Sequence, residues 1–120
     1  MKQVLELVGE SLDYWSARAD GWELSHRAIL GGEVYRRGEV RTALVRLAYS
    51  TDWILAGPII ERERMKIEPV TAERWLAEMP SGVRATGETP IVAAMRAFIV
   101  NRYGPHVPAD SRLHGSKQGA

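Results

Sequence analysis

Apolar residues recur at helical spacing near the start of the chain. Four of them are separated by four, three and four positions: Val8, Leu12, Trp15 and Ala19. This spacing places the four side chains on one face of an α-helix. Gly21 follows, and glycine commonly ends a helix because it adopts backbone angles that other residues avoid. The pattern predicts a first helix that ends before Gly21.

The next stretch shows no single period. Gly31 and Gly32 separate two short apolar runs, and a pair of glycines at such a place is typical of a two-residue hairpin turn. Residues 38–48 fit two patterns, because their apolar residues fall at helical spacing and also alternate with polar residues as in a strand. Both a helix and a strand are therefore open for residues 38–48.

A second helix is predicted after Ser50 or Thr51, either of which can cap it. Pro58 lies inside this stretch and cannot donate a backbone hydrogen bond. It must therefore kink the helix or begin a new one after Gly57.

Two strands are predicted next, over residues 65–70 and 74–80, with a turn near 71–73. Pro69 would have to lie at a strand end or on an edge strand, because it cannot donate to a central ladder. Residues 80–88 are predicted to form a loop.

The last helix has the clearest boundaries. Thr89 can cap it, Pro90 suits its first position, and Gly104 with Pro105 would end it. The polar residues 106–120 are predicted to form a mobile tail.

Together these elements predict an α+β fold. We expect a single small domain over residues 1–105, with two or three helices packed on a short antiparallel sheet. A chain of 120 residues is long enough to bury one modest core.

Composition narrows the function classes. The net charge is only +1, whereas proteins that bind the phosphate backbone of nucleic acids usually carry a larger positive charge. The absence of cysteine excludes disulfides, thiolate catalysis and cysteine-based zinc sites. No metal-binding spacing accompanies the three histidines, so we expect neither a metal nor another cofactor. Without a signal peptide or a long apolar stretch, the expected location is the cytoplasm.

Three segments carry a resemblance: LDYWSARADG (12–21), YSTDWILAGPIIERERMKI (49–67) and TPIVAAMRAFIVNRYG (89–104). In this order they resemble the NinX-like family of small phage and prophage proteins. The chain departs from the family pattern at Ser16, where valine is common, and at Ala56, where glycine is usual. The resemblance implies a phage or prophage origin and a location in the cytoplasm of the bacterial host. It does not indicate any particular biochemical activity.

Acidic residues of the central segment raise the question of catalysis. On a helix, Glu61 and Glu63 would point about 200° apart, so they could not act together as a general acid and base. On a strand they would share a face, but they would still need a cleft and one raised pKa. A solvated helix face is the favoured interpretation. A small enzyme that uses Asp52, Glu61 and Glu63 stays as an alternative.

Glu61 and Arg96 both match the resemblance and lie on two different predicted helices. We therefore expect an ion pair between them, partly buried between the helices. The alternative is that both side chains face water.

Tryptophans divide into two groups by their surroundings in the sequence. Trp15, Trp53 and Trp75 each fall on an apolar face and are predicted to pack in the core. Trp22 comes just after the end of the first helix and is predicted to be a surface aromatic. Asp52 precedes Trp53 at a helix start, where it can cap backbone donors or, as a second interpretation, contact a ligand.

A local excess of positive charge lies in residues 27–46, which hold five arginines against two glutamates. Arg36, Arg37 and Arg41 are the central members, and together with Trp22 they form the candidate binding surface. A solvated hairpin face is favoured over a nucleic-acid interface, because the charge density is low.

These observations favour a non-enzymatic accessory protein of phage origin that binds another macromolecule. A host or phage protein is the favoured partner, and nucleic acid bound through residues 27–46 is the alternative. No membrane partner is expected, and the sequence is compatible with a homo-oligomer.

Overall fold

The last helix is the centre of the fold. In the computed structural model, which describes residues 1–27 and 33–108, helix α3 spans Pro90–Tyr103. The Thr89 side chain accepts a hydrogen bond from the Val92 backbone, and Pro90 takes the first position, as predicted. The helix is buried from Ala93 to Ile99 without interruption. Such all-round burial requires covering elements on every side of α3.

One side of α3 is covered by a three-stranded antiparallel sheet. Its strands are β5 (Lys66–Thr71), β6 (Arg74–Glu78) and β7 (Arg84–Gly87), in the order β5-β6-β7. The two strands predicted from the sequence, with their turn, are confirmed. Pro69 lies on the edge strand β5, beside an irregularity in the register.

The loop predicted over residues 80–88 is wrong, because strand β7 lies within it. The inward-facing residues of β7 are Ala85 and Gly87, both buried. They are too small to give a visible hydrophobic alternation in the sequence. Gly87 has to lack a side chain, since a Cβ there would lie 2.6 Å from the backbone nitrogen of Ala93.

Helix α1 spans Gly9–Ala19 and packs against α3. The predicted end of the helix is confirmed, because Gly21 has a φ of +97°. Val8 differs from the prediction, since it precedes the helix and is exposed. Val4, in the 3-10 helix Val4–Glu6, is buried instead.

Helix α2 spans Trp53–Arg62 and also contacts α3. Its cap is Asp52, not Ser50 or Thr51, and the helix continues through Pro58 without dividing into two. The predicted helix is thus confirmed, with a later start.

A second three-stranded sheet is formed by β2 (Glu23–Arg27), β3 (Glu33–Arg37) and β4 (Val40–Ala43). Residues 38–48 therefore contain a strand, which is followed by the 3-10 helix Leu44–Arg46. The turn predicted at Gly31-Gly32 lies outside the described residues. The backbone of this sheet packs mainly within itself and against the 3-10 helix after it. We call this sheet the β-arm.

The two ends of the described chain pair with each other. Strand β1 (Lys2–Gln3) is antiparallel to β8 (His106–Val107), and Val107 is fully buried. The first residues of the predicted tail are thus part of the fold, and residues 109–120 lie outside the described part. Three helices with antiparallel sheets in the described ranges confirm the α+β class.

Candidate functional site

A largely buried carboxylate, that of Asp20, connects the β-arm to the helices. Asp20, which follows α1, has a side chain only 10% exposed. Its Oδ2 accepts hydrogen bonds from the Tyr49 hydroxyl at 2.7 Å and from Arg37 Nη1 at 2.6 Å. Its Oδ1 accepts from both terminal nitrogens of Arg62 at 3.3 Å. Asp20 therefore joins α1, strand β3, helix α2 and the segment before α2.

Trp22 belongs to the same cluster, and the prediction that it is a surface aromatic is wrong. Its side chain is buried, and its indole nitrogen donates to the Tyr49 hydroxyl at 3.0 Å. The Arg37 guanidinium lies 4.7 Å from the centre of its ring. The backbone N–H of Trp22 donates to the backbone oxygen of Ala17 at 2.9 Å, and this hydrogen bond closes the turn that follows α1.

Tyr49 is held in its protonated form. Burial raises the pKa of Tyr49, and so do the hydrogen bond and the negative charge of Asp20. A phenol that stays neutral far above physiological pH donates a hydrogen bond but does not act as a general acid or base near pH 7. The donors and acceptors of this cluster bond to one another. The cluster therefore has a structural role, which is to connect the β-arm to helices α1 and α2.

All three candidate arginines are exposed on the β-arm, but they differ in their partners. Arg37 donates to Asp20 although its side chain is 48% exposed. Arg36 and Arg41 are direct cross-strand partners in the β3–β4 pair, so their side chains share one face. Arg36 approaches Glu23 at 3.7 Å. Within the described ranges, no carboxylate lies within 4.0 Å of the Arg41 guanidinium.

The carboxylates considered for catalysis do not converge. Asp52 Oδ1 accepts a hydrogen bond from the Ile54 backbone at 2.9 Å and so caps α2. Glu61 is exposed and lies nine residues further on the same helix, which is a rise of about 13 Å. Glu63 pairs with its neighbour Arg62 at 2.9 Å. The structure brings no two of these groups together around one reacting atom.

Trp53 is not in the core, contrary to the prediction, although Trp15 and Trp75 do pack there. Trp53 is 54% exposed, and the adjacent Ile54 is 82% exposed. The apolar face of α2 that packs inward instead carries Ala56 and Ile59. Helical spacing identified the helix, but it did not show which of its two apolar stripes faces α3.

The expected ion pair between Glu61 and Arg96 is wrong. Arg96 is buried, and its guanidinium donates to the backbone oxygens of Leu7 at 3.0 Å and Thr86 at 3.0 Å. Its closest carboxylate is that of Glu88, at 3.9 Å. Burial lowers the pKa of Arg96. The side chain points toward β7 and the N-terminal segment, whereas Glu61 lies on the exposed face of α2.

Comparison with known proteins identifies the family. The family model described as "Bacteriophage P22, NinX" matches residues 3–102. The chain belongs to this family. A comparison with curated proteins found no match. Membership in the NinX family indicates a protein of phage origin.

The NinX motif segments meet in the structure. Asp13, in the first segment, accepts a hydrogen bond from the Ser50 backbone in the second at 2.8 Å. Arg96, in the third, ties the N-terminal segment to β7. Asp20 and Tyr49, which belong to the cluster that connects the β-arm to α1 and α2, were missed by sequence reasoning. An aspartate before a glycine is common, and so is a tyrosine a few residues before a helix cap, so the sequence carried no signal for Asp20 or Tyr49.

Two further properties hold for the described part of the chain. No three potential metal ligands among His, Asp and Glu come together in residues 1–27 and 33–108. None of the helices there combines the length and the apolar character that a membrane crossing requires.

Proposed function

We propose that this NinX-family chain is a non-enzymatic accessory protein that binds another protein, of host or phage origin, in the bacterial cytoplasm. The observation that carries the proposal is the exposure of Trp53 and Ile54 on the first turn of α2. Both are large apolar side chains, and they are adjacent in the chain.

The helix that presents these two side chains is firmly fixed. Asp52 caps its start, Ile59 is buried, and Arg62 is bound by Asp20 near its end. A rigid element that displays tryptophan binds with little loss of conformational freedom, and tryptophan is enriched among residues that dominate protein interfaces. This arrangement supports a docking helix for a protein partner.

The separation of the carboxylates supports a binding role over an enzymatic one. Asp52 is engaged as a cap and lies about 13 Å along the helix from Glu61. A general acid and base must reach the same substrate, and these residues have no common site between them.

An affinity experiment tests this proposal. The tagged chain is used to capture binding proteins from nuclease-treated host lysate, in parallel with Trp53→Ala and with Ile54→Ser. We expect one specific protein to bind the wild type and to be lost from both variants, while thermal unfolding shows that the variants remain folded. A matched control is Val70→Ser, another exposed apolar residue on strand β5. Equal capture by Trp53→Ala and wild type would refute the proposed docking helix.

A second candidate is nucleic-acid binding, and the pairing of Arg36 with Arg41 favours it. The two guanidinium groups share one exposed face, where Glu23 lies 3.7 Å from Arg36 and offsets one of the two positive charges, and a phosphate beside Arg41 would offset the other. The test is the salt dependence of binding to a labelled single-stranded oligonucleotide. Affinity that does not fall between about 50 and 200 mM salt would exclude a phosphate-dominated interaction.

A further inference from the structure

Strand β4 forms one edge of the β-arm. The sheet order is β2-β3-β4, so β4 has a neighbour on one side only. Strands β3 and β4 are joined by Gly38 and Glu39, and Arg37 lies opposite Val40 across this two-residue turn. Gly38 has a φ of +62°, which such a tight turn requires.

The turn fixes which backbone groups of β4 are unused by the sheet. In a two-residue hairpin the residues that flank the turn bond to each other, and the bonded pairs then alternate along the strands. Val40 and Thr42 therefore bond to β3, whereas the N–H and C=O groups of Arg41 and the N–H of Ala43 point away from it. The C=O of Ala43 is not free, because Ala43 is the N-cap of the 3-10 helix Leu44–Arg46 and the first bond of that helix uses its carbonyl.

The edge strand β5 of the other three-stranded sheet is protected, and strand β2, at the opposite edge of the β-arm, carries an irregular register between Leu24 and His26. Strand β5 carries Pro69 and an irregular register, both of which hinder the addition of another strand. On strand β7 the backbone oxygen of Thr86 already accepts a hydrogen bond from Arg96 at 3.0 Å. The outer edge of β4 has no such protection.

Side chains on β4 define what an added strand should carry. Arg41 shares one face with Arg36, and a residue placed opposite Arg41 would lie on that face. An acidic residue there would meet the guanidinium of Arg41, whereas Arg36, one strand further away, lies 3.7 Å from Glu23 of β2. Val40 points to the other face and is 58% exposed, so the alternate position of the added strand should be apolar.

We propose that the β4 edge binds an extended segment of the partner protein in which acidic and apolar residues alternate. This inference rests on the proposed function, since it specifies the chemistry of the protein partner. Hydrogen bonds to the backbone groups of Arg41 and to the N–H of Ala43 would hold the segment, and the Arg41 side chain would select an acidic residue opposite it. A second copy of β4 is a poorer occupant, because antiparallel pairing centred on Arg41 places two arginines opposite each other.

The test uses the full ¹⁵N-labelled chain and the synthetic peptide acetyl-Thr-Val-Glu-Val-Glu-Val-Thr-amide. Addition of the peptide should shift the amide signals of Arg41 and Ala43 and slow their exchange with solvent. Arg41→Glu should weaken the binding at least about fivefold, whereas Arg64→Glu, at an exposed arginine in the turn after α2, should leave it unchanged. In Arg41→Pro the outward donor is lost while the bonds of Thr42 to β3 are kept, so the peptide should no longer bind.

Three results would overturn the inference. The first is that millimolar peptide leaves the amide signals of Arg41 and Ala43 unchanged. The second is that a peptide with lysine in place of glutamate binds equally well. The third is that these two amide signals shift with protein concentration alone, which would identify a second copy as the occupant. The capture experiment with Trp53→Ala is independent of these results, so failure of the β4 site and failure of the docking helix are distinguishable.

Discussion

Ser16 offers the sharpest test of how this core is built. It lies on α1, its side chain is fully buried, and its hydroxyl has no hydrogen-bond partner among the described residues. Leaving a buried hydroxyl without a partner costs about 1–3 kcal/mol. Replacement of the hydroxyl by a methyl group should therefore stabilise the protein.

The informative comparison is between Ser16→Val and Ser16→Thr. The two side chains have nearly the same shape and similar helix propensity, and they differ by one methyl group in place of one hydroxyl. Any strain from the added volume is thus common to both variants. We expect Ser16→Val to be more stable than Ser16→Thr by about 1–3 kcal/mol, or roughly 4 °C in Tm for each kcal/mol in a chain of this size.

Urea unfolding followed by tryptophan fluorescence measures this difference, and calorimetry gives the Tm values. Equal stability of the two variants would refute the reasoning. It would show that the Ser16 hydroxyl is satisfied after all, for example by donation to the backbone oxygen of Leu12 one turn earlier.

Four further predictions concern other positions. Gly57→Ala should stabilise α2 by about 0.5–1 kcal/mol in urea unfolding, because a Cβ at Gly57 meets no atom within 4 Å. Gly87→Ala should instead lose about 1–3 kcal/mol through its clash with α3, and equal stability would contradict that close approach. Arg96→Met should lower the free energy of unfolding by about 3 kcal/mol, as measured by thermal unfolding, and Glu61→Ala should lower it by less than about 0.5 kcal/mol. Similar losses for the two variants would support the ion pair between Glu61 and Arg96 that the structure contradicts. Because its folded-state pKa is raised, Tyr49 stabilises the fold fully below its unfolded pKa of 10.0 and progressively less as the pH rises above it. Tyr49→Phe should therefore be less stable at pH 7 but show a flatter loss above pH 10, as measured by urea unfolding across pH.

Local signals predicted the elements whose boundaries depend on the backbone. Thr89 and Pro90 at the start of α3, and Gly21 after α1, mark helix ends because their conformational preferences act within a few residues. The strands β5 and β6 were likewise visible from alternation and a turn. Strand β7 was not, because its buried residues are alanine and glycine.

The arrangement of side chains between elements was harder to predict. Arg96 could be assigned to a helix from the sequence, but its partners are two backbone oxygens, and backbone acceptors leave no mark on sequence. Trp22 was predicted to be exposed and is buried, whereas Trp53 was predicted to be buried and is exposed, for a similar reason. The direction of a side chain is decided by the element that packs against it, and that element is distant in the chain.

The position of α3 near the end of the described chain has a consequence for the order of folding. Helix α3 contacts α1, α2 and the sheet β5–β7, and Arg96 reaches back to Leu7 across 89 positions of sequence. A chain emerging from the ribosome cannot bury these surfaces until its last helix has been synthesised. Contacts between distant residues also slow folding, because long loops must close first. Earlier segments therefore spend most of synthesis without their core, exposed to chaperones and proteases, and the protein gains its resistance to both in one late step.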